Sequence, residues 1–501
     1  MNKRVEQLEV ERTYAVPEEF ALPDLSTLPA VAGVDDPVGY SLEAVYVDTA
    51  DLRLLRAGTT LRRRTGGADD GWHLKLPMPG GDRLEVHRPS GRVGSVPPIA
   101  LRRLVTAYSA GSALVTVATL RTSRTVWTLR DSAGAVLAEV CLDEVAASLP
   151  AELAPRVWTE LEVELGSDVD RSVAGSIEER LLDVGVTVSK HPSKLRRALG
   201  EAPAPPEYDS SSASGVVLTQ LAELVETLAA WDVALRRDQP RAVHQSRVTI
   251  RRLRSVLGVS RRLLDREVTD RVRAALGEIA GVLGDVRDDE VLRKSSAALI
   301  DDDGVPGGPA AGRAILSALT PLEREHRATL RRALDGDAYV QMWSSLRALV
   351  EDPPLTDRSS DPPRRELARA LDKAWRRLER KSESLFAIAA EADREAALHE
   401  VRKAGKRLRY ALDMAGPVLD PKAADKMVTR LKAFQEYAGT LRDDQLAMLR
   451  TAELADRLPG AAFSLGHLHG VFRSRVLRAE ESAAAEARRL SAAKLRRKLT
   501  R

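Results

Sequence analysis

Residues 243–254 read VHQSRVTIRRLR, and residues 398–409 read LHEVRKAGKRLR. His399 lies 155 residues after His244. The same offset relates three further basic pairs, which are Arg247 and Arg402, Arg251 and Lys406, and Arg254 and Arg409. It continues without a gap to GDVRDD at 284–289 and GTLRDD at 439–444. A register held between two separate motifs predicts a duplicated structural unit.

The basic residues of each copy have helical spacing. At 100° per residue, they fall within an arc of roughly 80° on a helix. Apolar residues such as Ile250 and Leu253 lie on the adjoining face and would dock the helix. One such helix usually presents a solvated basic face, and each histidine could be an ordinary packing residue. Two copies, each with a histidine leading the row, favour a site that holds a polyanion.

Composition sets the broad class. The 501 residues carry 77 Lys plus Arg against 73 Asp plus Glu, so local basic rows matter more than the net charge of +4. The single cysteine, Cys141, excludes a disulfide framework and fits a reducing compartment. The N-terminal stretch has no apolar signal region, and no run of eighteen apolar residues occurs. A cytoplasmic protein without a membrane partner is expected, and 4% aromatic residues make nucleic acid an improbable partner.

The first 200 residues alternate in the manner of strands. The predicted strands include 8–16, 44–48, 59–64, 72–76, 83–87, 122–129, 137–142 and 159–165, with helices near 99–107 and 173–184. The Pro- and Ser-rich stretch 201–214 predicts a linker. From residue 215 the periodicity is helical, with breaks at 301–312 and 352–363. The prediction is a domain over 1–200 and a helical domain over 215–501, whose repeats span about 215–350 and 364–500.

Charged residues occupy one face of several predicted strands in the first domain. Glu9, Glu11 and Thr13 share a face by period-two alternation, and so do Glu160, Glu162 and Glu164. Arg62 and Arg64 form a same-face pair, as do Glu139 and Asp143. In an ordinary antiparallel sheet such a face is simply the wet one. A closed barrel would instead gather these groups in one lumen, where carboxylates hold Mg²⁺ or Mn²⁺ and cations grip phosphate.

Motifs in a fixed order carry a family resemblance. They are EVERT at 9–13, YVDT at 46–49, LRRR at 61–64, LK at 74–75, ELEVE at 160–164 and SKL at 193–195. Residues 5–200 resemble the CYTH family of triphosphate tunnel metalloenzymes. Residues 215–495, with both histidine-led basic helices, resemble the CHAD (conserved-histidine α-helical) family. The combination resembles bacterial CYTH–CHAD fusion proteins, which implies an α+β multidomain chain. Its parts would be an eight-stranded antiparallel tunnel barrel and duplicated all-α bundles.

The resemblance also implies roles for individual residues in the tunnel. The metal ligands would be Glu9, Glu11, Glu139, Glu160 and Glu162, with Asp143 and Glu85 as further candidates. The triphosphate would be bound by Arg62, Arg64, Lys75, Arg124 and Lys194. The catalytic set would be Glu9, Glu11, Lys75, Arg62 and Arg64, with Mg²⁺ or Mn²⁺ as cofactor. Arg83 and Arg121 are weaker candidates, since a regular strand cannot point both Arg121 and Arg124 inward.

One position departs from the family motif Glu-x-Glu-x-Lys. Thr13 stands where the lysine would be. A hydroxyl carries no positive charge, and losing one charged stabiliser of a transition state commonly costs about 2.7–4 kcal/mol. Arg12 cannot replace it easily, because its side chain points to the other face of a regular strand. The tunnel is therefore expected to be a slow enzyme, an enzyme with another substrate, or a binding module.

For the helical half, the resemblance implies a basic surface that binds inorganic polyphosphate. The residues expected there are His244, Arg247, Arg251, Arg254, His399, Arg402, Lys406 and Arg409. Polyphosphate has no bases, so it needs spaced cations and no aromatic shelves. The Arg-Asp-Asp motifs at 287–289 and 442–444 would place arginine on the anion and use aspartate to hold neighbouring arginines. Ordinary interhelical ion pairs are an equally good interpretation.

Two hypotheses follow from the sequence and the resemblance. The first is a metal-dependent inorganic triphosphatase whose helical domain recruits it to polyphosphate. The second is a polyphosphate-binding protein with little turnover, associated with polyphosphate granules, as Thr13 allows. Class IV adenylate cyclase and thiamine triphosphatase activities rank lower, because no nucleobase-reading motif is evident.

Overall fold

The structure is a computed structural model that divides the chain into two compact units, Met1–Pro205 and Pro206–Arg501. It describes the chain apart from residues 1–5, 10, 68, 78–82, 92–95, 167–168, 303, 389–390, 491–492 and 501. Side chains are also left undescribed at 6–9, 302, 391–395 and 493.

The first unit is built on one antiparallel sheet with a few short helices. Its strands are β1 (Glu6–Glu9), β2 (Glu11–Ala15), β3 (Gly33–Val34), β4 (Val38–Asp48), β5 (Thr60–Thr65), β6 (Gly71–Pro77), β7 (Arg83–Arg88), β8 (Val115–Arg130), β9 (Val136–Ser148), β10 (Arg156–Leu165) and β11 (Thr187–Val188). Its helices are α1 (Arg53–Arg56), α2 (Ile99–Leu104), α3 (Thr106–Ser109), α4 (Ser172–Leu182) and α5 (Lys194–Leu199). Each strand predicted from the sequence overlaps an observed one.

The N-terminal segment closes this sheet into a barrel. The hydrogen-bonded order is β1-β7-β6-β5-β4-β8-β9-β10-β2-β11, with β3 on β8. β1 pairs with β7 and β2 pairs with β10, so consecutive pieces of chain hold both edges of the sheet. With β1 and β2 counted as one strand, and the short β3 and β11 left aside, the described residues form an eight-stranded wall. The predicted antiparallel tunnel barrel is confirmed.

Apolar residues cover the outside of the barrel, and charged ones point inward. Tyr14, Leu161 and Val163 are buried together with Ile177 and Leu181 of α4. The alternate residues of β2 and β10 line the interior cavity instead. The charged strand face is therefore the lumen rather than an outer wet surface, because the helices need the apolar face.

The second unit is helical. Its helices are α6 (Ala213–Arg236), α7 (Ala242–Val259), α8 (Arg266–Asp302), α9 (Gly308–Asp335), α10 (Asp337–Glu351), α11 (Pro363–Phe386), α12 (Glu391–Leu419), α13 (Pro421–Arg457), α14 (Ala462–Arg489) and α15 (Ala493–Thr500). The predicted breaks fall between α8 and α9 and between α10 and α11. α6 begins inside the expected linker, because the Ser212 side chain accepts a hydrogen bond from the Gly215 amide and caps the helix.

Helix lengths repeat across the second unit. α6 and α11 each have 24 residues, α8 and α13 each have 37, and α9 and α14 each have 28. α7 lies against α12, and α8 lies against α13. Leu292 and Ile315 of the first repeat share a buried core with Leu465 and Phe472 of the second. The duplication read from the sequence is therefore a pair of packed helical bundles.

One helix of the described residues, α6, is long and apolar enough by length and composition to cross a membrane. Of its most apolar window, 56% is buried inside the protein. Burial of this kind is typical of the core helix of a bundle, so the composition of α6 is weak evidence for a membrane span.

Candidate functional site

A cavity of about 460 Å³ occupies the barrel interior. The five cations predicted to bind triphosphate all line it, and they are Arg62, Arg64, Lys75, Arg124 and Lys194. They come from β5, β6, β8 and α5, so only barrel closure brings them together. The structure thus places these residues in one lumen, while their roles toward a ligand stay predictions.

Of the two weaker candidates, Arg83 lines the cavity and Arg121 does not. Alternation along β8 keeps Arg121 on the opposite face of the strand from Arg124. Arg121 is exposed and binds Glu43 at 3.0 Å, while Arg124 points inward. Arg83 lines the cavity and donates to the Pro192 carbonyl at 2.5 Å. Arg12 lies on the other face of β2 and binds Glu178 at 2.7 Å. Arg12 therefore cannot replace the cation that Thr13 lacks.

Arg124 and Lys194 form a connected set of salt bridges with three carboxylates of the barrel. Arg124 contacts Asp143 and Glu162, each at 2.5 Å. Lys194 lies 2.9 Å from Asp143 and 3.0 Å from Glu160, and it also contacts Glu162. Burial alone lowers the pKa of Lys194, but these three carboxylates outweigh it and raise that pKa above its usual value. The same pairs hold Glu160 and Glu162, which the sequence suggested as metal ligands, in salt bridges.

The other cations of the lumen have partners as well. The Lys75 ammonium lies 3.0 Å from Glu11, Arg62 donates to the Tyr46 hydroxyl at 3.0 Å, and Arg64 contacts Asp69. Burial, together with the charges of Arg62 and Arg124, lowers the pKa of Arg64 to about 10. Cations therefore crowd one another here despite their partners.

A row of three carboxylates crosses the barrel wall. Glu164 of β10 lies directly opposite Glu139 of β9 and Glu11 of β2 in the strand register. All three line the cavity. Burial raises the pKa of Glu164, and the charges of Glu11 and Glu139 raise it further against the opposing effect of Lys75. Mutual repulsion of this kind is what a bound cation would relieve.

The carboxylates of the lumen differ from a preformed site for a divalent cation. Among the described residues, no three His, Cys, Asp or Glu side chains are grouped closely enough to hold one. The row Glu11–Glu164–Glu139 nevertheless has the hard oxygen chemistry that Mg²⁺ and Mn²⁺ prefer. Glu11 and Glu139 were predicted as ligands, and Glu164 was not. The side chain of Glu9, another predicted ligand, lies outside the described residues.

Thr13 lies two residues after Glu11 on the same face of β2. It stands directly opposite Glu162, and Lys194 and Arg124 both contact that glutamate. Burial raises the pKa of Glu162, but the charges of Lys194 and Arg124 outweigh burial and hold that pKa well below its usual range. Positive charge is thus already present beside Thr13.

Sequence reasoning missed a histidine that lines the cavity. His73 is buried, and its Nδ1 lies 2.8 Å from Glu85 while its Nε2 lies 2.9 Å from the Asp69 carbonyl oxygen. Burial lowers the pKa of His73 to about 4 in spite of the Glu85 contact. Its place on the inward face of β6, two residues before Lys75, is the signal that could have found it.

In the second unit, the two basic helices bring their cations together. Burial, followed by the charges of Arg402, Arg251 and Arg247, lowers the pKa of Lys406 to about 7. Burial also lowers the pKa of Arg402, and Arg251 of the other repeat acts in the same direction. Arg247, Arg251, Arg402 and Lys406 therefore form one group across the repeats, which we term the cation cluster.

Carboxylates compensate the cation cluster only in part, because the charges of Asp288 and Asp443 favour the protonated forms of Arg247 and Arg402 against the effect of burial. Arg247 Nη1, Arg251 Nε and Arg402 Nε are buried without a hydrogen-bond partner. Within the part of the chain that the structure describes, none of the four cations forms a salt bridge. Buried donors without partners are costly, which makes the cluster a ready site for an anion.

Arg254 and Arg409, the last basic residues of the two helices, make contacts within their own repeats. Arg254 packs against Gly277, where an added Cβ would lie 3.2 Å from its Nη2. Arg409 donates to Gln435 at 2.6 Å. Burial lowers the pKa of His244 and of His399, and nearby cations including Arg251 and Arg402 lower it further. Both histidines lie beside the cluster as predicted.

Gly284 and Gly439, the glycines of the two repeated motifs, have no side chain and so leave space for the guanidinium groups of Arg247 and Arg402. At Gly284 of α8, a Cβ would lie 2.7 Å from Arg247 Nη1. At the equivalent Gly439 of α13, it would lie 3.7 Å from Arg402 Nη2. The glycine of GDVRDD therefore lets Arg247 approach the neighbouring helix closely, which the sequence alone did not reveal.

The aspartates of the same motifs lie among these cations without closing salt bridges to them. Burial raises the pKa of Asp288, opposed by Arg247 of its own repeat and Arg442 of the other. Asp289 instead contacts His326 at 2.6 Å, and Arg287 contacts Glu290 at 3.1 Å. In the described chain the aspartates fit a supporting role around the cluster better than direct pairing with its members.

Comparisons with known proteins agree with this geometry. A model of the CYTH domain matches residues 7–199, and a model of the CHAD domain matches residues 219–452. Two proteins of Mycobacterium tuberculosis, both described as uncharacterized, are 33% identical over 490 residues. Those alignments cover 92% of this chain and 92% of each relative.

Solved structures with lower similarity include three of note. PptA from Streptomyces chartreusis is 20% identical, with a TM-score of 0.47 over 56% of this chain and 100% of that one. The CHAD domain from the plant Ricinus communis is 22% identical, with a TM-score of 0.46 over 57% and 97%. A Hippeastrum adenylyl cyclase candidate, described with a dominant triphosphatase activity, is 17% identical, with a TM-score of 0.23 over 37% and 93%. The two domain matches and the near full-length relatives show that this chain belongs to the family of proteins that join a CYTH domain to a CHAD domain.

Proposed function

We propose that the barrel hydrolyses inorganic triphosphate with a divalent cation and that the helical unit binds inorganic polyphosphate. Members of the CYTH family act on triphosphate chains as hydrolases or cyclases, typically with a divalent metal. The observation that carries the first half is the convergence of five cations and a carboxylate row on one cavity of about 460 Å³.

Each group in the lumen has a chemical task in this proposal. Arg62, Arg64 and Lys75 neutralise the phosphate chain, and Arg124 of β8 and Lys194 of α5 add positive charge. A divalent cation would supply Lewis-acid stabilisation of the transferring phosphoryl group, and it would relieve the repulsion that Glu164 experiences from Glu11 and Glu139. Positioning and fixed charge then carry most of the catalysis, because phosphoryl transfer asks little covalent chemistry of the protein.

Phosphate release from tripolyphosphate with Mg²⁺ or Mn²⁺ tests the barrel. We expect turnover by the full chain and a loss of about 10²–10³ in kcat for Glu11→Ala and for Glu164→Ala. Glu144→Ala is the matched control, because Glu144 is exposed and its strand neighbour Asp143 points inward. Turnover by the wild type no higher than that of Glu11→Ala would reject the enzyme proposal.

The cation cluster carries the second half of the proposal. A polyphosphate chain offers about one negative charge per phosphate and no bases, so it can satisfy the unpartnered donors of Arg247, Arg251 and Arg402 without any base-reading group. Lys406 adds a fourth charge from the facing helix. Binding of this kind should weaken steeply with added salt.

Charge reversal tests the cluster. We expect Arg247, Arg251, Arg402 and Lys406, all replaced by Glu, to lower the affinity for long-chain polyphosphate by at least about 100-fold. The control reverses four exposed cations of α13, namely Lys422, Lys426, Arg430 and Arg457, and so changes the net charge equally. Equal affinities in the two variants, measured by isothermal titration with folding checked by circular dichroism, would refute the proposed surface.

A second candidate is a polyphosphate-binding protein, associated with polyphosphate granules, whose barrel retains a ligand with little turnover. Thr13 favours it, as does the engagement of Glu160 and Glu162 by Lys194. The phosphate-release assay separates the two, since this candidate binds tripolyphosphate in the barrel without releasing phosphate. A cytoplasmic location is part of both proposals.

A further inference from the structure

The second repeat has a pocket that the first repeat lacks the residues to form. It is a cavity of about 290 Å³ between α12 and α13. Its polar lining consists of His399, Arg402, Arg442 and Gln445. Its apolar lining consists of Ala396, Leu398, Ala438 and Leu441, of which the two leucines are buried.

Substitutions between the repeats account for the difference. At the positions 155 residues earlier, the first repeat has Arg241, Leu283 and Glu290 where the second has Ala396, Ala438 and Gln445. Leu283 is completely buried, so it fills space that Ala438 leaves open. Glu290 accepts from Arg287 at 3.1 Å and from Arg327 at 3.3 Å. The first repeat therefore has a neutralised arginine and a larger side chain at this place.

In the second repeat, no described carboxylate forms a salt bridge to the pocket arginines, although the charge of Asp443 favours the protonated form of Arg402. Gln445 cannot neutralise Arg442, and Arg442 forms no salt bridge within the described residues. Arg402 Nε is buried without a partner. Two guanidinium groups, one imidazole and one amide thus border the same concavity, and each of them can donate N–H bonds to oxygen.

We infer that this pocket binds the terminal phosphate group of a phosphate chain. A terminal group presents three free oxygens and about −1.5 to −2 charges at pH 7, whereas an internal group carries about one. The buried Leu398 and Leu441 offer no side-chain hydrogen bonds to phosphate, so the side-chain donors of the pocket are those of His399, Arg402, Arg442 and Gln445. Arg402 belongs to both the pocket and the cation cluster, so a chain that ends in the pocket continues over the cluster. The inference rests on the proposed binding of polyphosphate by that cluster and adds chain-end recognition to it.

Linear and cyclic phosphates test chain-end recognition, because a cyclic phosphate has no terminal group. Linear tripolyphosphate and cyclic trimetaphosphate are titrated into the full chain with a chelator of divalent cations present, so that the barrel does not hydrolyse the ligand. Binding in the barrel is common to every variant, so differences between variants report the pocket. We expect Gln445→Glu and Ala438→Leu, which restore the residue types of the first repeat, each to weaken linear tripolyphosphate binding by about tenfold at the helical site. Both should leave trimetaphosphate unchanged and long-chain binding within about threefold of the wild type.

The reciprocal change Glu290→Gln is the matched control, and it should not create a linear preference, because Leu283 still fills the first repeat. If both pocket variants keep the wild-type preference for the linear phosphate while long chains still bind, the pocket inference is wrong and the cluster stands. If long-chain polyphosphate binds the wild type no better than the cluster-reversal variant, the proposed function itself fails. Gln445→Glu changes charge and Ala438→Leu changes size, so the test remains valid if one of the two variants misfolds.

Discussion

The barrel cavity and the cation cluster both gather arginine and lysine, yet their buried lysines, Lys194 and Lys406, lie in opposite electrostatic surroundings. In the barrel, buried Lys194 contacts three carboxylates that raise its pKa above the usual value. In the cluster, burial and neighbouring cations lower the pKa of Lys406 to about 7. A cation with internal partners is stable without a ligand, whereas an uncompensated one is stabilised by an anion.

This difference bears on what each region does. In the proposed function, a phosphate chain in the barrel would compete with Glu11, Asp143 and Glu162 for the same cations, so binding would rearrange existing ion pairs. In the cluster, it would meet donors that form no salt bridge in the described chain. We therefore propose a selective reaction for the barrel and retention of a polyanion for the cluster.

The same substitution in the two regions should give the largest contrast. Arg124→Met leaves Asp143 and Glu162 short of a partner, and we expect it to destabilise the barrel by about 3–5 kcal/mol. Arg402→Met removes a charge with no salt-bridge partner and should cost the helical unit little or nothing. Amide hydrogen exchange measured by mass spectrometry follows β8–β10 and α12–α13 separately. If Arg124→Met and Arg402→Met lowered the stability of their own regions equally, the proposed electrostatic difference between the barrel and the cluster would be wrong.

Supplying the missing motif cation should act on the barrel alone. We expect Thr13→Lys to raise the kcat for tripolyphosphate by about tenfold, less than a lone missing charge would give, because Lys194 and Arg124 already contact the facing Glu162. Polyphosphate binding by the helical unit should not change. Thr13→Val is the control for side-chain shape without charge. An unaltered rate in Thr13→Lys would show that position 13 does not limit turnover.

The affinity for polyphosphate should fall as pH rises through 7. Lys406 has a folded pKa of about 7, below its usual value, and a bound polyanion favours the charged form. Below pH 7 the ammonium is already protonated, whereas above it binding must take up a proton. We expect a loss of up to about tenfold between pH 7 and 9, measured by isothermal titration. Lys406→Arg should flatten the profile, and a flat wild-type profile would refute the assignment.

The smallest effect concerns the two motif glycines. Gly284→Ala places a methyl group 2.7 Å from Arg247 Nη1 and must displace that guanidinium. We expect a loss of about two- to threefold in polyphosphate affinity. Gly439→Ala is the matched control, because its methyl group lies at an ordinary 3.7 Å from Arg402. Equal effects would mean that the close approach at Gly284 is unimportant.

Much of the fold could be predicted because periodicity is local information. Strand alternation located the barrel strands, and the register of 155 residues located the helical repeat. β8 is longer than predicted, at 16 residues, since its first half is fixed by pairing with β4, a partner distant in sequence. α6 began earlier than predicted, because Ser212 caps it.

The site was less predictable, because contacts across strands depend on register. Alternation alone indicated that Arg62, Arg64, Glu11 and Glu162 could share a face. It could not show that Lys194 would lie on Glu160 and Glu162, nor that Glu164 would stand between Glu11 and Glu139. His73 went unnoticed because a single histidine in a strand carries no signal of its own.

The sequence by itself determined the two-part organisation, the duplication and the faces on which charge lies, since each is a matter of spacing along one chain. Tertiary structure alone decided which charges meet. Barrel closure set carboxylates against the cations of the lumen, while the packing of α7 on α12 set cation against cation. Lys194 and Lys406 therefore lie in opposite electrostatic environments. The energy of a buried charge depends on its neighbours in space, and the spacing of residues along the sequence does not specify those neighbours.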